Sequence, residues 1–182
     1  MTATFPMPPL ADLLPGAFET VAARDGIPTI GVVPDQLPAF CRTLRDHPAL
    51  QFTVCLDVTA ADHYPRAPRF DVVYHLVSIE QRFTLRVKVR LDGAAPAVPT
   101  VSDLWPSANW QEREVWELFG IVFTGHPNLS RLITPEDWEG HPLRKDYPVQ
   151  VKLPVKTYEP LQLSEEEFRA NIEADRRRRP GQ

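Results

Sequence analysis

Residues 70–91 read FDVVYHLVSIEQRFTLRVKVRL, and this stretch decides the fold. Apolar side chains recur at every second position in both halves, most regularly at Phe83, Leu85, Val87, Val89 and Leu91. A period of two predicts two β-strands, because successive side chains of a strand point to opposite faces of its sheet. Only residues 78–81 separate the two runs, so the strands are predicted to pair as an antiparallel hairpin.

Two earlier segments are predicted to extend this sheet. Residues 27–33 form a short apolar run bounded by glycine and proline, which is typical of a strand. Residues 52–58 alternate between apolar and other side chains, and they predict a third strand of regular period. Its apolar side is formed by Phe52, Val54, Leu56 and Val58.

Two helical segments are predicted around these strands. Asp35 is a suitable N-cap for a helix that ends at His47, since Pro48 follows it. Residues 9–24 carry apolar side chains at roughly helical spacing, but Pro15-Gly16 interrupts them. One kinked helix or two short helices are therefore expected there.

Together these elements predict an α+β fold for residues 1–149: a two-layer domain with helices on one face of a mixed, largely antiparallel sheet. Residues 150–182 are predicted to form an extended arm that ends in a short helix. Ser164 and Glu167 have the spacing of a capping box at the start of that helix. Phe168 and Ile172 are its only large apolar side chains, so the arm is expected to dock on another chain.

Composition argues against several classes of protein. The net charge of −4 gives no general reason to expect nucleic-acid binding, and no uncharged window approaches the ~20 residues of a membrane span. Cys41 and Cys55 are too far apart for a CxxC motif, whereas an iron–sulfur cluster needs about four thiolates. We predict a reducing compartment and no redox cofactor in this chain. The 20 prolines predict short elements joined by extended segments.

Residues 100–149 carry the most specific pattern: TVSDLWPSANWQEREVWELFGIVFTGHPNLSRLITPEDWEGHPLRKDYPV. Asn109 and Glu112 have capping-box spacing, which predicts a helix starting near Trp110. Gly120 suits the left-handed position that ends such a helix. Thr134 is predicted to cap a short turn further along the segment.

This segment resembles the 30-kDa subunit family (the C-type subunit) of respiratory complex I, the proton-translocating NADH–quinone oxidoreductase. About fifty residues match the family pattern in order. The matching motifs are Glu112-Arg113-Glu114, LFGI at 118–121, GHP at 125–127, PEDW at 135–138 and PLRKDYP at 142–148. One departure is Glu117, where family members usually carry aspartate; the charge is kept.

The resemblance implies a non-catalytic structural subunit in the hydrophilic arm of complex I. Such a subunit packs beside the D-type (49-kDa) subunit, which forms much of the quinone chamber. FMN, iron–sulfur clusters and quinone belong to partner subunits, and the electrons pass from NADH to quinone there. The expected location is the cytoplasmic side of the bacterial inner membrane, where the chain is peripheral and meets the membrane only through the complex.

The charged residues of the signature helix, Glu112, Arg113, Glu114 and Glu117, admit three interpretations. Acid–base catalysis is weakly supported, because no nucleophile or metal motif accompanies them. A solvated helix face is the second interpretation, with Arg113 and Glu117 paired four positions apart. We favour the third, in which the charges lie on a helix that is half buried against a partner subunit.

His126 and His141 both stand beside glycine and proline. A metal site needs closer spacing or a third ligand in view, so metal binding is disfavoured. We expect instead that both imidazoles hydrogen-bond to backbone and fix their loops.

For Arg144, Lys145 and Asp146 the resemblance favours an interface, although a solvated turn is the simpler interpretation. Pro142 and Pro148 are expected to hold this segment extended, with backbone groups free for another chain. No catalytic, cofactor-binding or metal residue is assigned. The predicted structural or interface residues are Glu112, Arg113, Glu114, Trp116, Phe119, Gly120, His126, Pro127, Trp138, His141, Arg144, Lys145, Asp146 and Tyr147.

Two further groups of basic residues have open interpretations. Arg86, Lys88 and Arg90 form a stripe that faces either solvent or an acidic partner. The run 176–179 meets lipid, a neighbouring subunit or water.

Two other functions are kept as alternatives. The chain could be the equivalent subunit of a related energy-converting membrane-bound hydrogenase, which shares the LFGI and GHP motifs. A free-standing metal-dependent enzyme that uses His126, His141 and carboxylates is the alternative from another class.

Overall fold

The structure, a computed structural model, describes residues 18–148 and 164–178. The chain divides into two compact units, residues 1–147 and 148–182, against a predicted division after residue 149. None of the helices in the described ranges is long and apolar enough to cross a membrane.

A five-stranded sheet organises the first unit, with the spatial order β1-β2-β5-β4-β3. In this sheet β2 and β5 are parallel, and the other neighbours are antiparallel. The predicted α+β fold with a mixed, largely antiparallel sheet is thereby confirmed, and so is the β4–β5 hairpin. The strands are β1 (Phe18–Val21), β2 (Thr29–Val32), β3 (Val54–Asp62), β4 (Phe70–Ser78) and β5 (Phe83–Leu91).

Two helices pack on the apolar face of this sheet: α1 (Leu37–Asp46) and α2 (Pro106–Phe119). The short strands β6 (Ala97–Pro99) and β7 (Val122–Thr124) flank α2 in sequence and pair in parallel. The core between the layers includes Phe40 and Leu44 of α1, Tyr74 of β4, and Val115 and Phe119 of α2. Cys41 and Cys55 are free and buried in the same core.

The N-terminal helix prediction is wrong where the structure tests it. Residues 18–21 form β1, which pairs antiparallel with β2, and the remainder of the predicted helix lies largely outside the described residues. Gly26 adopts a left-handed φ of 76° between the strands, and Asp25 accepts a hydrogen bond from the Ile27 N–H. This turn brings the strands together, and sheet pairing outweighs the helical spacing of the side chains.

The starts of α1 and α2 also differ from the predictions. A 3-10 turn at Pro34–Gln36 precedes α1, so Asp35 lies inside that turn and is not the N-cap. The second helix begins four residues earlier than Trp110, with Pro106 in its first turn. Proline fits the first turn because its missing N–H has no helical partner to bond. The predicted ends are confirmed at His47 and Gly120, and the φ of Gly120 is 72°.

Strand β3 has a bulge that the alternation of apolar and other residues in its sequence does not reveal. The register of β3 against β4 shifts between Cys55 and Asp57, so Cys55 is buried whereas Leu56 is 62% exposed. The extra residue reverses the inward and outward sides of the strand at this point. Gln111 of α2 donates to the Leu56 carbonyl at 3.0 Å, which fixes the bulge against the helix.

The basic stripe on β5 is paired within the chain, by two residues of the sheet and one of the β1–β2 turn. Arg86 lies 2.6 Å from Asp25, Lys88 lies 3.5 Å from Asp71, and Arg90 lies 3.3 Å from Glu19. Because each cation has an acidic neighbour in its own chain, the face tolerates all three without an external acidic partner.

In the second unit, α3 (Glu165–Arg178) is the described element. Its predicted capping box is confirmed, because the Glu167 N–H donates to the Ser164 hydroxyl and the Ser164 N–H donates to the Glu167 carboxylate. Phe168 and Ile172 are exposed on this unit. The predicted extended segment 150–163 and the side chains of the basic run 176–179 lie outside the described residues.

We expect Gly120→Ala to destabilise the protein by roughly 2–4 kcal/mol. A β-carbon at this position would occupy a left-handed conformation and would overlap the His141 ring and the Arg144 guanidinium. Gly26→Ala is the matched control: Gly26 has a similar φ of 76°, but no atom lies within 4 Å of the position that a β-carbon would take there. Its cost should be about 1–2 kcal/mol. Equal shifts in urea denaturation would contradict the close packing at Gly120.

Candidate functional site

The signature helix α2 turns three charged residues inward. Glu112, Arg113 and Glu117 are buried, whereas Glu114 is exposed. Each buried charge bonds to a segment outside the helix, and Arg113 and Glu117 do not pair with each other. Burial therefore occurs within this chain, and the interpretation that all four charges lie on a solvated or partner-facing side is wrong for these three.

Glu112 fastens the segment that enters α2. Its carboxylate accepts a hydrogen bond from the Val101 N–H at 2.8 Å and another from the Thr100 hydroxyl. Burial raises the pKa of Glu112 to about 7, and the two hydrogen bonds offset only part of that rise. The carboxyl group is thus held close to its titration point at neutral pH.

Glu117 fastens the loop that follows the GHP motif. Its carboxylate accepts from the N–H groups of Leu132 at 2.6 Å, of Ile133 at 3.1 Å and of Thr134, and also from the Thr134 hydroxyl. Burial alone would raise the pKa of Glu117, but these donors outweigh it and lower the pKa to about 2. Thr134 therefore bonds to α2, and its predicted role as the cap of a short turn is wrong.

Arg113 binds the same loop as a hydrogen-bond donor, whereas Glu117 binds it as an acceptor. Its guanidinium donates to the Ser130 carbonyl at 3.0 Å, to the Ser130 hydroxyl at 2.7 Å and to the Arg131 carbonyl at 3.4 Å. The same group lies 4.9 Å from the centroid of the exposed Trp110 ring. One cation thus joins the loop to the outer side of α2.

Both signature histidines fix loops, as predicted. His126 is placed by Nε2 at 3.1 Å from the Asn109 carbonyl, and its Nδ1 accepts from the Asn128 N–H at 3.1 Å. These partners require a proton on Nε2. His141 places Nδ1 at 2.8 Å from the Glu117 carbonyl at the end of α2. Within the described ranges, no three His, Cys, Asp or Glu residues are grouped to hold a metal ion.

The segment 142–148 folds as turns and is not extended as predicted. Arg144 donates to the Phe119 carbonyl at 2.5 Å and lies over the Phe70 ring. Asp146 pairs with Arg69 at 2.6 Å. These groups satisfy one another inside the chain, so the backbone is not left free as the flanking prolines suggested.

The centre of that arrangement is Asp62, a residue that sequence analysis missed. Its carboxylate binds Arg69 at 2.8 Å and accepts from the Lys145 N–H at 2.9 Å. Burial opposes ionisation, but the Arg69 guanidinium and the backbone donors hold the pKa of Asp62 well below its usual range. The available signal was an aspartate at the end of a strand with an arginine seven residues later, just before the next strand begins.

The other predicted residues occupy varied positions. Phe119 is buried and Trp116 is half-buried, so the predicted inner side of α2 holds for Phe119 and only partly for Trp116. Pro127 is exposed, Trp138 is half-buried, and the Tyr147 hydroxyl donates to the Glu139 carbonyl at 3.2 Å.

Sequence analysis missed Thr100, Ser130 and Thr134 as hydrogen-bond partners of the helix. The inward position of Glu112 could have been predicted, because Glu112, Val115 and Phe119 share one helical face.

The arrangement of inward charges and fixed loops can be compared with known proteins. The family model described as respiratory-chain NADH dehydrogenase, 30 Kd subunit, matches residues 30–152. The chain belongs to this family. The resemblance carried by the signature motifs is confirmed.

Two relatives illustrate the range of the family. The C 2 subunit of NADH-quinone oxidoreductase from Rhizobium meliloti (strain 1021) is 48% identical over 135 residues, which cover 74% of this chain and 74% of the relative. The C/D subunit of NADH-quinone oxidoreductase from Acidiphilium cryptum (strain JF-5) is 44% identical over 167 residues. That match covers 88% of this chain and 28% of the longer relative.

Two solved structures share the fold. The trypsin-resistant fragment (1-134) of Nqo5 aligns with a TM-score of 0.51 and 35% identity, covering 62% of this chain and 89% of the fragment. A chain of the membrane-bound sulfane sulfur reductase, an archaeal respiratory membrane complex, aligns with a TM-score of 0.62 and 29% identity. It covers 72% of this chain and 78% of the other. The 30-kDa subunit fold therefore also occurs in this sulfane sulfur reductase, an archaeal respiratory complex that is not named for NADH oxidation.

Glu117→Gln is expected to destabilise the protein by roughly 2–4 kcal/mol at pH 7, because an amide cannot accept from all the donors that surround this carboxylate. The loss should concentrate in the loop, so the amides of Leu132, Ile133 and Thr134 should exchange faster with deuterium. Glu114→Gln, on the exposed side of the same helix, should change stability by less than about 0.5 kcal/mol. Unchanged exchange in Glu117→Gln would show that the loop does not depend on this carboxylate.

Glu112 should make stability fall as pH rises from about 4.5 to about 7. Its folded pKa lies above its unfolded value, so the folded state binds more protons across this window and loses stability with rising pH, by roughly 3 kcal/mol in total. In Glu112→Gln this slope should be absent, because the uncharged amide can accept from Val101 and donate to Thr100. Denaturant unfolding at several pH values measures the difference between the two proteins, and parallel pH profiles would exclude the effect.

Proposed function

We propose that this chain is a non-catalytic structural subunit of NADH–quinone oxidoreductase. The observation that carries the proposal is the use of the signature charges: Glu112, Arg113 and Glu117 are each bonded to the chain's own loops. These contacts give each of the three charges a structural role inside the chain. The family's charged motif then serves to fix a surface, and catalysis takes place elsewhere in the complex.

FMN, iron–sulfur clusters and quinone are proposed to be held by partner subunits. Burial raises the pKa of the Cys55 thiol to about 12, and burial also raises the pKa of Cys41. Thiols kept protonated in a core are poor metal ligands, because the thiolate is the form that binds metal. This supports a chain without a redox cofactor of its own in an enzyme that couples electron transfer to proton translocation.

The D-type (49-kDa) subunit, which forms the quinone site, is the proposed neighbour in the hydrophilic arm. The support comes from the C/D relative of Acidiphilium cryptum, in which a segment like this chain occupies 28% of a longer protein. Joining two chains covalently is compatible with their function only if they lie close together in the assembly. The chain is proposed to sit on the cytoplasmic side of the bacterial inner membrane, peripheral to the bilayer, and not to bind nucleic acid.

The equivalent subunit of an energy-converting membrane-bound hydrogenase is the second candidate. The likeness to a chain of the membrane-bound sulfane sulfur reductase favours it, because the fold is then not confined to complexes named for NADH oxidation. The identity of the electron donor distinguishes the two candidates.

Affinity purification of the full chain from its own membranes tests the proposal. We expect a complex that contains flavin and oxidises NADH, whereas the separately purified chain should be colourless above the aromatic band and inactive with NADH. A nickel–iron complex without NADH oxidation would support the second candidate. A stoichiometric flavin, cluster or metal in the separate chain would overturn the proposed absence of a cofactor.

A further inference from the structure

Large apolar side chains are exposed on α2 and on the loop that Arg113 and Glu117 bind to it. Trp110 is 61% exposed, Ile133 is 63% exposed, and Leu132 is 38% exposed. We call these three residues the Trp110 surface. Isolated exposed apolar residues are normal in proteins, whereas a contiguous group of large ones marks an interaction site.

Two buried charges hold this surface in place. The Arg113 guanidinium stacks on the Trp110 ring and also binds the carbonyls of Ser130 and Arg131, which ties the ring to the loop. Glu117 binds the N–H groups of Leu132 and Ile133, so the two apolar side chains project from a fixed backbone. A surface that is ordered before binding loses less conformational entropy when it docks.

The exposed charges near the Trp110 surface are acidic, whereas the Arg113 guanidinium against the Trp110 ring is buried. Glu114 is exposed one helical turn after Trp110, and Glu136 is exposed three residues after Ile133. Arg131 turns its guanidinium back into the loop, where it donates to the Thr134 hydroxyl at 2.7 Å and to the Trp138 carbonyl at 2.8 Å. The surface thus has an apolar centre and a rim formed by Glu114 and Glu136.

We propose that the Trp110 surface docks on a neighbouring subunit of the complex that presents an apolar pocket rimmed by lysine or arginine. Charge complementarity selects this occupant, because like charges across an interface oppose association. The acidic rim would repel a second copy of this chain, and it would also repel an anionic lipid surface. This inference rests on the proposed function, since it assumes that the chain works inside a complex.

Matched substitutions test the docking surface in the full chain. Ile133→Ser and Glu114→Lys change its centre and its rim. Ile79→Ser and Glu80→Lys are the controls, because both residues are exposed in the β4–β5 turn and Ile79 is 65% exposed. Each tagged variant replaces the native chain in cells, and native gels of solubilised membranes measure the fraction that enters the complex.

We expect both surface variants to enter the complex about tenfold less than wild type, as for residues at the centre of an interface, and both controls to enter it normally. Melting curves of the purified chains should be close to wild type for Glu114→Lys, whose side chain is exposed, so this variant decides the question if Ile133→Ser folds poorly. Equal incorporation of all four variants would overturn the docking proposal while leaving the proposed function intact. Failure of the wild-type chain to enter any NADH-oxidising complex would overturn the proposed function itself.

Two further measurements address the other occupants. Sedimentation of the wild-type chain should show a monomer, and a dimer that Ile133→Ser dissociates would assign the surface to a second copy and overturn the proposal. Vesicles of phosphatidylglycerol and phosphatidylethanolamine should not retain the chain through this surface. Retention that Ile133→Ser abolishes would assign the surface to lipid and would likewise overturn the proposal.

Discussion

The hydrogen bonds to the Glu117 carboxylate are the interaction on which the rest of the signature region depends. They gather three successive N–H groups of a loop that has no regular secondary structure of its own. Backbone donors in such a loop need partners, and a carboxylate with two oxygens can accept several at once. A carboxylate whose residue type alone would suggest acid–base chemistry therefore supplies the hydrogen bonds that a strand or helix would otherwise provide to these backbone groups.

The end of the same helix organises the next segment in a complementary way. Helix carbonyls near a C-terminus lack intrahelical donors, and here His141 and Arg144 approach the carbonyls of Glu117 and Phe119. Gly120 permits this approach because it has no side chain to separate the helix end from them. Two of the signature motifs, LFGI and PLRKDYP, thus meet at this helix terminus.

Sequence analysis predicted the features that have a local cause. Gly120 required a left-handed conformation, and the β4–β5 hairpin had a regular period with a short link. The partners of Arg113 and Glu117 could not be predicted, because they are mainly backbone groups 15–18 residues away that carry no side-chain signature. The β3 bulge was hidden for a similar reason: a register shift depends on how Gln111 and its neighbours in α2 meet the strand, and the alternation of residues 52–58 does not record it.

The single parallel pairing in the five-stranded sheet has a consequence for how the chain acquires its structure. Thr29 of β2 lies opposite Arg86 of β5, 57 positions later, whereas β3, β4 and β5 follow one another as neighbours. Closing a long loop costs more entropy than closing a short one, so we expect the β3–β5 meander to form before β1 and β2 join it. Substitutions in β2 should then accelerate unfolding with little effect on the folding rate. If they instead slow folding by the full change in stability, so that the kinetic φ-values (not the backbone angle) are near 1, β2 joins the sheet first. Until β2 joins, β5 is an edge strand whose backbone N–H and C=O groups are unpaired. Another chain could pair with this edge, and the order of folding sets how long it remains exposed.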